Sequence, residues 1–210
     1  MMRVSNVLTT AAVVLAAISS VAITNAFADE LKSSGAATVS LSGKQKVASV
    51  FKSTAGSNEC KGGTTSGTGT TPTSTLTLTV TTSECSCLGV ACTVDMNGCQ
   101  YLGHLGAGTT ATVDIVCPAG QEMTSTSSKC TTHIKPQTGL GTVTFKNTGS
   151  GSTQEIELEF KVEKISYTHT EGSGIGKCTT GSGTTGTLTG TSIVTAVEDG
   201  SKVHAGVFVE

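Results

Sequence analysis

Residues 154–162 read Gln154-Glu155-Ile156-Glu157-Leu158-Glu159-Phe160-Lys161-Val162. Apolar and polar residues alternate through this stretch without a break. In an extended chain successive side chains point to opposite faces. Ile156, Leu158, Phe160 and Val162 therefore share one side, and Glu155, Glu157, Glu159 and Lys161 the other. The pattern specifies a strand with one buried and one wet face. The same period of two recurs to either side. Val143 and Phe145 alternate with Thr142, Thr144 and Lys146; Ala111, Val113 and Ile115 with Thr110, Thr112 and Asp114; Leu76, Leu78 and Val80 with Thr75, Thr77, Thr79 and Thr81. Residues 188–197 and 203–209 read as two more strands, joined by a turn at Glu198-Asp199-Gly200-Ser201. Residues 37–41 and 46–52 read as strands around Ser42-Gly43.

Composition agrees with this reading. Thr, Ser and Gly fill 89 of the 210 positions, charged residues are 13%, aromatics 3%, and Trp is absent. Threonine suits the wet face of a sheet because its branched Cβ favours extended backbone. Charge is too sparse for a disordered acidic or basic tail, and helix formers are too few for a bundle. Glycine lacks the every-third-residue spacing of collagen. It gathers at 62–73, 103–108, 149–152 and 172–186, which read as mobile loops between strands. The expected fold is all-β: an antiparallel β-sandwich or Greek-key barrel of about ten to twelve strands. Residues 29–210 contain no linker that would divide them, so a single domain is expected there. A core so poor in aromatics needs covalent support.

Residues 1–28 read as an address. Arg3 supplies a positive charge, residues 11–18 an apolar core, and Ala26-Phe27-Ala28 the small residues that precede a cleavage site. We expect a signal helix removed after Ala28, the alternative being an anchor retained over residues 4–23. The expected location is extracytoplasmic: secreted, periplasmic or at the cell surface. Beyond Ala28 the chain has 12 Lys, no Arg and 15 acidic residues, a net charge of −3. Without arginine forks and with negative charge, nucleic acid is not an expected partner. Nor is an anionic membrane surface, once the signal segment is gone.

All eight cysteines, Cys60, Cys85, Cys87, Cys92, Cys99, Cys117, Cys130 and Cys178, follow the cleavage site. An even number in an exported chain reads as a disulfide framework, although eight cysteines allow 105 pairings. Cys87 and Cys92 bracket four residues and suit a tight loop. Cys117 ends one strand-like run and Cys130 begins another, so a hairpin between the two runs would set them opposite each other. No local argument fixes the remaining four, for which Cys60 with Cys85 and Cys99 with Cys178 is the pairing taken. Zinc is the competing reading, but Cys85-x-Cys87 is a poor tetrahedral chelate. A redox-active Cys-x-Cys would need a neighbouring cation to lower the thiol pKa, and none flanks it.

No motif announces chemistry. Gly181-Ser182-Gly183-Thr184-Thr185-Gly186 has dinucleotide-loop spacing but opens no helix. Residues 172–178 resemble a phosphate loop without its first glycine, and Cys178 stands where Ser or Thr would bind magnesium. Glu155, Glu157 and Glu159 sit in a row on one face, which suits neutralisation by lysine on neighbouring strands better than a glycosidase pair. His104, His133, His169 and His204 are scattered, and only folding could assemble them with Ser and Asp. Tyr101 and Met123 read as core or hairpin residues. No catalytic residue, cofactor or metal is expected.

One resemblance adds to this. Met96-Asn97-Gly98-Cys99-Gln100-Tyr101, then Val113-Asp114-Ile115-Val116-Cys117-Pro118-Ala119-Gly120, then Cys130, Ile134 and Gln137-Thr138-Gly139-Leu140, resembles a group of exported actinobacterial proteins. The likeness covers residues 95–147, beyond which it is compositional, and implies no activity or ligand. It implies that Cys87 and Cys92 are a local addition to six shared cysteines. The expected function is that of a non-catalytic structural or adhesive β-domain, with a cell-surface or glycan partner. The alternative is a module that binds a small molecule or glycan. The shortage of Trp and Tyr weakens the glycan reading, since sugars stack on such rings.

Overall fold

The computed structural model describes residues 29–201 and 203–210, and these are almost wholly antiparallel β. The signal segment and the cleavage site at Ala28 lie outside the described residues. The strands are β1 (Leu31–Ser33), β2 (Thr38–Ser53), β3 (Gly56–Thr70), β4 (Thr75–Cys87), β5 (Val90–Asp95), β6 (Gln100–Leu105) and β7 (Thr110–Val116). They continue as β8 (Met123–Ser127), β9 (Cys130–Ile134), β10 (Gln137–Thr148), β11 (Glu155–Glu171), β12 (Gly181–Glu198) and β13 (Val207–Val209).

Strands β2 to β12 close into a disulfide-stabilised barrel. Five strands, β2, β3, β4, β11 and β12, run its length. The other three positions hold strands broken at a waist, where β5 leads into β6, β7 into β8, and β9 into β10. Ladders β6–β7–β10 bridge β4 to β11 above the waist, and β5–β8–β9 bridge the same two strands below it. The ring therefore has eight positions. Neighbours follow one another in sequence, a meander closed by the pairing of β12 with β2. Hydrophobic periodicity reports which face of a strand is buried, not which strand lies beside it; the connectivity comes from the ladders.

Residues 155–162 lie in β11. Ile156, Leu158 and Val162 are buried, and the intervening Glu and Lys face outward. Glu157 sits opposite Lys146 on β10, and Lys46 reaches its carboxylate at 2.7 Å from β2. The Lys46 hydrogen bond, aided by the charge of Lys146, holds Glu157 below the usual carboxylate range. Apolar side chains inside and charges with threonine outside are the reverse of a membrane-spanning barrel. Among the described residues no helix is long and apolar enough to cross a membrane.

Two glycine-rich segments read as loops are strands instead. Most of 62–73 belongs to β3, and Gly181 to Gly186 opens β12. The cause is lateral crowding. Gly190 faces Phe160 and Gly183 faces Tyr167 across the β11–β12 ladder. A Cβ on Gly190 would lie 2.6 Å from the Phe160 ring, and one on Gly186 would lie 3.0 Å from Phe51. Glycine here leaves room for rings that lean over the neighbouring strand. Residues 37–41 and 46–52 form one strand, kept continuous by bulges between Lys44 and Val50. The turn at 198–201 forms as expected, with Gly200 at φ 75°. Beyond the turn the chain stays against the end of β12 through the Val197–His204 bridge and the Ala205 N–H to Ala196 O bond, and regular strand resumes only at Val207–Val209, paired with β1.

The disulfides join Cys60 to Cys85, Cys87 to Cys92, Cys99 to Cys117, and Cys130 to Cys178. The first two pair as the sequence suggests. The expected Cys117–Cys130 and Cys99–Cys178 bridges do not form. Strands β7 and β8 are collinear, so the runs around Cys117 and Cys130 make no hairpin. Instead β7 pairs with β6, and one step beyond Gln100 and Val116 the register sets Cys99 against Cys117, with Cα atoms 4.0 Å apart. Cys130 lies opposite Glu171 on β11, and the loop after β11 turns back to bring Cys178 to it.

Candidate functional site

The inward side chains do not fill the barrel. They enclose a cavity of about 190 Å³ in its middle, reached by side chains of every ring position. Tyr101, Val113, Phe145, Phe160 and Val162 contribute apolar surface from β6, β7, β10 and β11. Gln45, Thr65 and Thr82 contribute polar groups from β2, β3 and β4. Among the described residues no Asp, Glu, Lys or Arg lines it. The site exists because the inward rows are made of medium-sized residues with glycines interspersed, so eight strands enclose more space than they occupy.

Three groups in the lining are notable. Gln45 sits in the β2 bulge, and its side-chain N–H donates to the Cys60 carbonyl at 2.6 Å. Tyr101 faces the lumen, where burial pushes its phenol up to about 12. Thr82 continues the inward row Leu76–Leu78–Val80, and its Oγ1 is buried with no hydrogen-bond partner among the described residues. The sequence reading passed over Thr82. The signal was available: the period of two calls for an apolar residue at 82, and a threonine interrupts it.

The wall beside Thr82 is incomplete. β4 pairs with β6 as far as Leu78 and with β5 from Ser86, so Thr79 to Cys85 have no ladder partner on that side. Across the ring β11 has a similar break between Lys161 and Thr168. There the Gln137 amide stands in for a strand. Its Oε1 accepts from Ser166 N at 2.7 Å and its Nε2 donates to Ser166 O at 2.8 Å.

The candidate histidines do not converge. His104 lies on the outer face 2.9 Å from Asp114, which also accepts from Gly139 N. These contacts, the Gly139 bond foremost, lower the Asp114 pKa. Among the described residues no serine, threonine or cysteine bonds to His104, so this pair lacks a nucleophile. His133 contacts Glu122 at 2.7 Å on the outer face. His169 points inward on the next position of the same pairing and contacts Thr132 at 3.1 Å. His204 is exposed. Among the described residues no three His, Cys, Asp or Glu side chains gather to hold a metal, and no cysteine is free. Met123 is buried in the core at the edge of the lumen.

No family model matches the chain, and neither a curated protein nor a solved structure matches it.

Proposed function

We propose that the barrel binds one small, largely apolar molecule in its lumen, in an oxidising compartment outside the cytoplasm. The observation that carries this reading is the cavity of about 190 Å³ and its mainly aliphatic and aromatic lining. Protein interiors are normally packed to crystal-like density, and an empty hollow forfeits contacts. An apolar cavity of roughly 150 Å³ is enough to take up benzene. Eight-stranded barrels are the size at which a lumen holds a single small ligand. The volume is below the roughly 300–1,000 Å³ of drug-sized pockets, which points to a molecule of about one ring. A glycan suits this lumen poorly, since most of its hydroxyls would go unpaired. The unpaired stretch of β4 offers the ligand a way in.

Four disulfides indicate an oxidising environment. The signal segment over residues 1–28, cleaved after Ala28, is the delivery route this reading includes. A purely structural or adhesive domain would have no use for a hollow centre. Toluene is a direct probe. We expect it to raise the melting temperature, with a stabilisation that grows as the logarithm of one plus the toluene concentration over its Kd. Ala111→Leu, on β7 in the lining, fills the space and should remove that response. No shift at saturating toluene refutes lumen binding.

A further inference from the structure

Resting on that lumen reading, we infer that the ligand is a neutral molecule with an apolar body and one hydroxyl or carbonyl, and that Thr82 receives this group. Thr82 Oγ1 is buried and unpaired among the described residues, although nearly all buried polar atoms in folded proteins have partners. It belongs to a cavity rather than to packed core, so a bound molecule is able to complete it. A threonine hydroxyl both donates and accepts, so an alcohol, a phenol or a ketone would satisfy it. Tyr101 lines the same space from the neighbouring position of the ring, and none of the hydrogen bonds among the described residues uses its hydroxyl.

The rest of the lining sets the remaining limits. Polar side chains stand not only on β2, β3 and β4 but also on β8, β9 and β12, as Ser125, Thr132 and Ser192, amid a mainly apolar lining. Among the described residues Thr82 Oγ1 is the buried lining atom left without a partner, which suits a molecule with one polar end. Among the described residues no Lys, Arg or His lines it, so a carboxylate would be buried without a counter-charge. This assigns the class as small monofunctional alcohols, phenols or ketones rather than acids or plain hydrocarbons.

The experiment compares toluene, p-cresol and benzoate on the natural protein and on Thr82→Val, by calorimetry. In the natural protein both toluene and p-cresol bind, p-cresol the more tightly, and benzoate does not. Thr82→Val should weaken p-cresol about 3- to 10-fold, the effect of one hydrogen bond, and leave toluene unchanged or tighter. Equal effects of Thr82→Val on toluene and p-cresol would overturn the inference and leave lumen binding standing. So would benzoate binding comparable to p-cresol. Failure of toluene itself to bind would refute both. Thr82→Val removes an unpaired buried hydroxyl, so its melting temperature should not fall, and that measurement separates lost binding from lost folding.

Discussion

At one end of the barrel β1 and β13 lie across the opening as a two-stranded ribbon; at the other, three of the four disulfides crowd around the turns. The ribbon end is closed by burial. Leu31, Val207 and Val209 are essentially inaccessible, and Asn147 clamps the ribbon through both its amide atoms to Val209, each at 2.9 Å. The disulfide end is closed by bonds and polar contacts. Cys60–Cys85, Cys87–Cys92 and Cys130–Cys178 tie β3, β4, β5, β9 and the loop after β11 together. Inside them Asn58 meets Ser125 at 3.1 Å, Thr132 meets His169, and the Tyr167 hydroxyl bonds to Thr54. A chain with few aromatics thus seals one end with the apolar residues it has and cross-links the other. Covalent ties are needed most where side chains bury least apolar area.

The largest expected effect comes from opening the disulfide end. Replacing Cys130 and Cys178 by serine releases a loop of 48 residues, and urea denaturation should show a loss of about 4 kcal/mol. At the ribbon end Leu31→Ala leaves a cavity where the side chain is wholly buried, and the same measurement should show a loss of about 3 kcal/mol. If Leu31→Ala costs nothing, the ribbon does not seal the barrel. Removing Cys87–Cys92, which closes only five residues, should cost about 2 kcal/mol. An equal cost for the two disulfide deletions would argue against the loop-entropy account.

The smallest effect is pH dependence confined to the disulfide end. Burial, and then the charge of His133, lowers the His169 pKa below its usual 6.5. The unfolded chain therefore takes up a proton that folded His169 refuses. Stability is complete above about pH 6.5 and falls as the pH drops below it, levelling off once folded His169 protonates. His169→Phe should flatten the melting temperature between about pH 7 and pH 5, leaving acid loss at lower pH to carboxylates such as Asp114. An unchanged slope would place the acid sensitivity elsewhere.

Much of this architecture could be read from alternation alone. The rows through Ile156, Val113 and Leu76 fix the strands and their buried faces, and every such row is inward. Glycine misled the reading, because its usual meaning is a turn. At Gly183, Gly186 and Gly190 it instead yields space to an aromatic ring on an adjacent strand, and that relation is not local in sequence. Two of the four cysteine pairings, those of Cys117 and Cys99, differ for the same reason, since Cys117 and Cys130 are close in the chain but Cys117 sits at the waist and Cys130 at the far end of the β8–β9 hairpin. The lumen itself was not legible, because it depends on the summed volumes of side chains around a closed ring. Its polar anchor left one trace, the threonine that breaks the row Leu76–Leu78–Val80.

The meander has a kinetic meaning. Ladders from β2–β3 round to β11–β12 join segments adjacent in the chain, so each is able to form as a hairpin soon after its residues are available. The closing seam is different: it pairs Val39 with Glu198, Leu41 with Ala196 and Val50 with Thr189, across nearly the whole described chain. Loop-closure entropy makes that step the late one. Until it happens, β2 and β12 are two open sheet edges in a chain rich in threonine and valine, exposed to pairing with other chains. Substitutions along this seam should slow refolding and promote aggregation more than equally destabilising changes in any hairpin.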